Sequence, residues 1–174
     1  KRRMPDFAPT AILDMGCTVG HATVPFKETF PDAEVTGIDV GGPCVRYAHA
    51  RAKALGYDVA FLQRNAEDTG FADESFDLIV SFETLEHVQD QERMLDGFAR
   101  LLAPGGLLLV STPNKPVYNR FKAPNAFHIS EMDQPEFMDL LGRHFRHVRL
   151  TGTRMALLSV GYPLEDSPHD NLGA

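Results

Sequence analysis

The sequence predicts an α/β fold, a mostly parallel sheet of seven strands with the last one antiparallel, flanked by helices. Three observations predict it. Short apolar runs at 11–15, 34–40 and 76–82 lack the polar alternation of half-exposed strands, as strands covered on both faces do. Helical patterns separate these runs. The first run enters a tight turn, Asp14-Met15-Gly16-Cys17-Thr18-Val19-Gly20, directly before a helical pattern. That is the carboxyl edge at which open α/β sheets bind ligands.

Length and composition set the bounds. A chain of 174 residues with 43% hydrophobic content forms one domain with a real core, assigned to 1–161, followed by a Pro-, Asp- and Gly-rich tail at 162–174. No apolar run approaches the roughly 20 residues of a membrane span, and no signal-peptide pattern is present. Cys17 and Cys44 read as small residues of a reducing compartment, so a cytoplasmic location is expected. The net charge of -7 disfavours broad binding to nucleic acid.

Taken in order, Gly16 and Gly20 let backbone approach a ligand, and Asp14 puts a carboxylate beside the turn. A dinucleotide site would want G-x-G-x-x-G and amides facing a pyrophosphate. Here an acid precedes glycines spaced G-x-x-x-G, which suits an ammonium group instead. A helix at 21–30 follows, then the second strand, whose terminal Asp39 can accept from both hydroxyls of a ribose. Asp39 can equally cap the next helix, 43–55, and Val40 would wall the ribose or adenine. The third strand spans 58–63 and leads into the polar turn Asn65-Ala66-Glu67. The fourth, 76–82, runs through Phe82 into Glu83-Thr84-Leu85-Glu86-His87.

Glu83, Glu86 and His87 stand at i, i+3 and i+4, so helical geometry would point all three from one face. Two carboxylates and an imidazole suit Mn, Fe or Mg. The plain alternative is a solvated helix start. A helix at 90–102 with core spacing, the stop Ala103-Pro104-Gly105-Gly106 and a strand at 107–112 come next. Residues 113–133 read as a long irregular loop with a local cationic and aromatic character from Lys115, Tyr118, Asn119, Arg120 and Lys122. A helix at 134–144 and a hairpin at 145–150 and 154–160 complete the seven strands.

Asp-x-Gly-Cys-x-x-Gly, with Thr18 where glycine is usual, resembles the first motif of class I S-adenosylmethionine-dependent methyltransferases. Arg-Leu-Leu-Ala-Pro-Gly-Gly-Leu-Leu-Leu-Val matches that family's turn and fifth strand, and the motifs keep its order from Ile12 to Thr112. The resemblance implies a Rossmann-like fold and transfer of a methyl group from S-adenosylmethionine to an acceptor. Asp14, Gly16, Cys17, Gly20, Asp39, Val40, Asn65, Ala66, Glu67 and Phe82 are then the cofactor-binding set, with Asn65 and the Ala66 N–H reading the adenine edge. The family often carries extra N-terminal helices over the substrate; about ten residues precede the first strand here.

Glu-x-x-Glu-His is similar to the arrangement in metal-assisted O-methyltransferases, among them ubiquinone-pathway enzymes and enzymes that methylate the 2'-hydroxyl at RNA ends. In the RNA-end group a later histidine completes the site, and Ser111-Thr112-Pro113-Asn114 with Phe127-His128 looks like that region. The implied metal ligands are Glu83, Glu86, His87 and His128, holding Mg or Mn. The same motif also occurs in methyltransferases with no known metal, in which case His87 or His128 is the general base. A small-molecule hydroxyl is the expected acceptor, an RNA end being disfavoured by the acidic charge. A nucleotide-dependent oxidoreductase and a non-catalytic cofactor-binding domain are the rival readings.

Overall fold

The computed structural model describes residues 7–121 and 125–152. Its centre is β1, Ala11–Met15, whose last four residues are buried. Alternation sends Ile12 to one face of the sheet and Leu13 and Met15 to the other. On the Ile12 side, Val35, Leu78 and Val80 pack with Val24, Val45, Ala48 and Ala52. On the Leu13 side, Ile38 and Ile79 meet Met94, Leu95, Phe98, Phe137 and Leu140. Two apolar faces on one strand explain the absence of polar alternation in the sequence.

The remaining elements follow from local chemistry. After β1 come α1 (Thr23–Thr29), β2 (Glu34–Asp39), α2 (Gly42–Ala54), β3 (Ala60–Gln63) and β4 (Phe76–Phe82). A single 3-10 turn, Leu85–His87, precedes α3 (Gln91–Leu101), whose N-cap Asp90 accepts from the Arg93 N–H at 2.9 Å. Then follow β5 (Leu102–Ser111), α4 (Lys115–Phe121) and α5 (Gln134–His144). α5 opens with a reciprocal capping box between Asp133 and Glu136 and has Pro135 in its first turn.

The sheet order is β3-β2-β1-β4-β5 and every pairing is parallel. Strand order therefore reverses at β1, between β2 and β4, and a ligand crevice belongs outside the carboxyl ends of these strands.

Three expectations need correction. The sheet has five strands among the described residues, not seven. Residues 145–150 form no strand, because Phe145 and Val148 pack on the α3–α5 core at a spacing of three rather than two. The partner at 154–160, the tail at 162–174 and Lys122 lie outside the described residues.

The fifth strand also begins earlier than expected. Pairing steps from Phe76–Leu102 to Leu78–Leu107, so Ala103-Pro104-Gly105-Gly106 is looped out inside it, with Gly105 at φ +82°. Finally, the irregular loop contains α4. This helix is held from outside by Lys115 N–H, which donates to Met132 O at 2.9 Å, while its first turn closes with Tyr118 N–H on Asn114 O at 2.8 Å.

Candidate active site

The turn after β1 is shaped by contacts that a side chain would destroy. Gly16 sits at φ +77°, and a Cβ there would fall 2.2 Å from Thr84 Oγ1. The Gly16 and Cys17 N–H groups both donate to Ile38 O at 2.9 Å, tying the turn to β2. Thr18 is left-handed at φ +46°, the conformation that makes glycine usual at this place, and its N–H donates to Asp39 Oδ2 at 2.9 Å. The other oxygen, Oδ1, accepts from Gly41 N–H at 2.7 Å. Asp39 thus orders both loops, and each oxygen keeps a further lone pair.

A cleft of about 440 Å³ opens at this carboxyl edge. Of the expected cofactor set, Gly16, Asp39, Val40, Asn65, Ala66 and Glu67 line it. Asn65 Oδ1 already accepts from Glu67 N–H at 3.0 Å in a local turn, which fixes the direction of its amide. Asp14, Cys17, Gly20 and Phe82 are not in the lining. Cys17 is buried in the α1–α2 core, and burial, with the charges of Asp14 and Asp39, pushes its thiol up to about 12, so it is an inert packing residue. A Cβ on Gly20 would meet the Phe61 ring at 3.0 Å, so Gly20 serves packing of the turn against β3 and α2. Phe82 is 42% exposed at the end of β4, away from the cleft lining.

Asp14 is not an acid at the cleft mouth; it is buried, 3% exposed, and accepts from Thr23 Oγ1 at 2.5 Å. Burial pushes its carboxyl from 3.8 to about 6, with the Asp39 charge adding to the rise. Because the folded state holds this proton more tightly than the unfolded chain, stability falls as pH rises from about 4 to about 6. Above that window the ionised carboxylate costs on the order of 3 kcal/mol. Asp14→Asn keeps an acceptor for Thr23, so it should raise stability at pH 7 and leave it nearly unchanged at pH 4, as read by urea unfolding at both pH values.

The cleft lining includes residues the sequence reading passed over. Met15 and Ile38 look like ordinary core, and Thr84 and Gln89 carry no motif. Arg64 adjoins the expected turn, and its guanidinium lies 4.5 Å from the Phe71 ring centroid.

Next to the cleft lies the cluster expected to hold a metal. Glu86, His87 and His128 each offer a ligand atom, all within 4.8 Å of one another. Glu86 is 1% exposed and its Oε2 accepts from Thr112 Oγ1 at 3.2 Å. Burial pushes its carboxyl up, and the Glu83 charge adds to this. Its backbone oxygen accepts from Ile129 and Ser130 N–H at 2.8 and 3.2 Å, which brings His128 across to the 3-10 turn. The Phe127 carbonyl lies 2.8 Å from His87 Nδ1; a carbonyl only accepts, so Nδ1 carries hydrogen and Nε2 is left over.

Glu83 does not join this cluster, which corrects the expected ligand set. The chain is not helical at Glu83: it kinks there at φ +52°, before the turn begins. Its Oε1 accepts from Ser111 Oγ at 2.6 Å, and the residue lines the cleft instead. His87 lines the cleft and belongs to the cluster.

Comparison with known proteins gives a consistent picture. A methyltransferase domain family model matches residues 13–110, more than half of the chain. The chain is 37% identical over 103 residues to a demethylmenaquinone methyltransferase of Thermus thermophilus, covering 59% of the chain and 47% of that protein. It is 36% identical over 104 residues to a ubiquinone biosynthesis O-methyltransferase of Rhizobium leguminosarum, covering 60% and 40%. It thus spans less than half the length of these two curated relatives. The crystal structure of YcgJ from Bacillus subtilis superposes with a TM-score of 0.68 at 28% identity, covering 79% of this chain and 62% of that one. Among the described residues no helix is long and apolar enough to cross a membrane.

Proposed function

The chain belongs to the methyltransferase domain family, and from that premise we propose that it transfers a methyl group from S-adenosylmethionine to a hydroxyl of a small molecule, assisted by a divalent metal, Mg or Mn. One observation carries the reading: His87 is shared between the cofactor cleft and the Glu86–His87–His128 cluster. A group held by that cluster would therefore lie next to a cofactor held in the cleft.

The residues present suit both groups. Asp39 keeps lone pairs for a ribose diol, and Val40, Ile38 and Ala66 give apolar surface for a base beside the Ala66 N–H. Gly16, having no side chain, lets Thr84 pack directly against the turn, and both residues line the cleft. S-adenosylmethionine supplies an electrophilic sulfonium methyl and leaves as S-adenosylhomocysteine. A buried carboxylate and two imidazoles form a mixed oxygen and nitrogen donor set that suits Mn better than Mg, and among the described residues no lysine or arginine pairs with Glu86; His87 Nε2 lies 3.9 Å from its Oε1. A divalent ion supplies acidification and orientation of an acceptor hydroxyl. The chain's own work is to align the acceptor with the methyl group and to receive its proton. Without a metal, the same free His87 Nε2 serves as general base.

A hydroxyl acceptor is supported by the printed name of one relative, a ubiquinone biosynthesis O-methyltransferase, while the net charge of -7 disfavours an RNA end. Incubation with S-adenosylmethionine and a panel of phenols and alcohols, with Mn2+ or with EDTA, tests the proposal. O-methyl products that disappear with EDTA support it. Turnover indifferent to EDTA leaves the histidine-base form, and tight cofactor binding without any product on the panel supports the non-catalytic alternative.

A further inference from the structure

His128 enters the cluster with one ring nitrogen already engaged. Its Nδ1 lies 2.5 Å from Glu131 Oε1, and both side chains are largely buried, at 8% and 14% exposure. The ring is held on other sides too: the Tyr118 ring lies 5.2 Å away at 35°, and the His87 ring 4.9 Å away, nearly edge-on at 78°. Between His128 and Glu131 the backbone is tied down by the bonds from Ile129 and Ser130 to Glu86 O. An ionised carboxylate only accepts hydrogen bonds, so Nδ1 carries the hydrogen. A free imidazole side chain favours the opposite tautomer, with hydrogen on Nε2.

We propose that Glu131 is a positioning residue: it fixes His128 in the Nδ1–H form and so presents the Nε2 lone pair toward Glu86 and His87. The Phe127 carbonyl does the same for His87. Phe127 and Glu131, four positions apart in one short segment, therefore set both imidazoles of the cluster, one through a backbone carbonyl and the other through a buried carboxylate. A carboxylate behind a ligating imidazole fixes its tautomer and orientation and raises its basicity as a ligand. The consequence for metal rests on the metal-assisted reading above; the tautomer does not.

The test uses the whole protein labelled with 15N at histidine. Two-bond 15N–1H spectra, recorded where the ring is neutral, should show His128 as the Nδ1–H tautomer in the wild type and as the Nε2–H tautomer in Glu131→Ala. Glu131→Gln, which can turn its carbonyl oxygen to Nδ1–H, should retain the wild-type tautomer. Mn2+ affinity by calorimetry should fall about ten- to a hundredfold in Glu131→Ala and recover largely in Glu131→Gln, with S-adenosylmethionine affinity unchanged in both. An Nε2–H tautomer in the wild type, an unchanged tautomer in Glu131→Ala, or wild-type Mn2+ affinity in Glu131→Ala would overturn the proposal. If the wild type takes up no Mn2+, the metal reading alone fails and the tautomer result decides the role of Glu131.

Discussion

Gly16→Ala should lower affinity for S-adenosylmethionine by roughly a hundredfold, equivalent to about 2.7 kcal/mol, while the far-ultraviolet spectrum keeps its α/β signature. Two effects add. An L-residue at φ +77° is strained by about 1–2 kcal/mol. The new methyl group would also meet Thr84 Oγ1 at 2.2 Å and Cγ2 at 2.8 Å. Thr84 has little freedom to yield, because its hydroxyl is within hydrogen-bonding distance of both Met15 O and Phe82 O, at 3.3 and 3.2 Å. The turn must move instead, and with it the wall formed by Met15, Gly16 and Thr84. A second change, Thr84→Ala, removes both offending atoms and should restore part of the affinity to the Gly16→Ala protein. Calorimetric titration of the wild type, of Gly16→Ala and of the double variant reads this directly.

The second large effect concerns Glu86. Glu86→Gln preserves volume and an acceptor for Thr112 but removes the buried charge, so bound metal should be lost and methyl transfer should fall by about 10²–10⁴-fold. Cofactor affinity should not change, since Glu86 does not line the cleft. Glu83→Gln is the informative contrast. Its carboxylate bonds to Ser111 outside the cluster, so metal content should persist. Elemental analysis after dialysis, beside turnover with saturating cofactor, separates these outcomes. Retention of metal and rate in Glu86→Gln would remove the metal from the mechanism.

Much of the scaffold was legible because its signals are local. The run Phe76–Phe82 is apolar without alternation, and Gln134–His144 carries its own cap and proline, so both elements occupy their expected bounds. Asp39, Val40, Asn65, Ala66 and Glu67 line one cleft because strand ends in this topology converge on one edge; the strand-end position marked Asp39, whereas the polar turn 65–67 was marked by the family resemblance alone. What escaped depends on distant contacts. α4 has a single buried residue among those described, Tyr118, and is anchored by Met132. Residues 83–87 look helical by spacing, yet a left-handed Glu83 turns its carboxylate to Ser111. Thr84 matters only through what a methyl group on Gly16 would strike. Asp14 looks like an exposed acid in one dimension, whereas Thr23 and the core enclose it in three.

The cleft beside Gly16 and Asp39 is assigned to S-adenosylmethionine, and calorimetric titration of the wild-type protein is the decisive check on that assignment. Single-site binding of S-adenosylmethionine and S-adenosylhomocysteine is expected, weakened by Gly16→Ala and by Asp39→Ala, with no heat from NAD. Binding of NAD in their place, or equal affinity in the wild type and both variants, would contradict it.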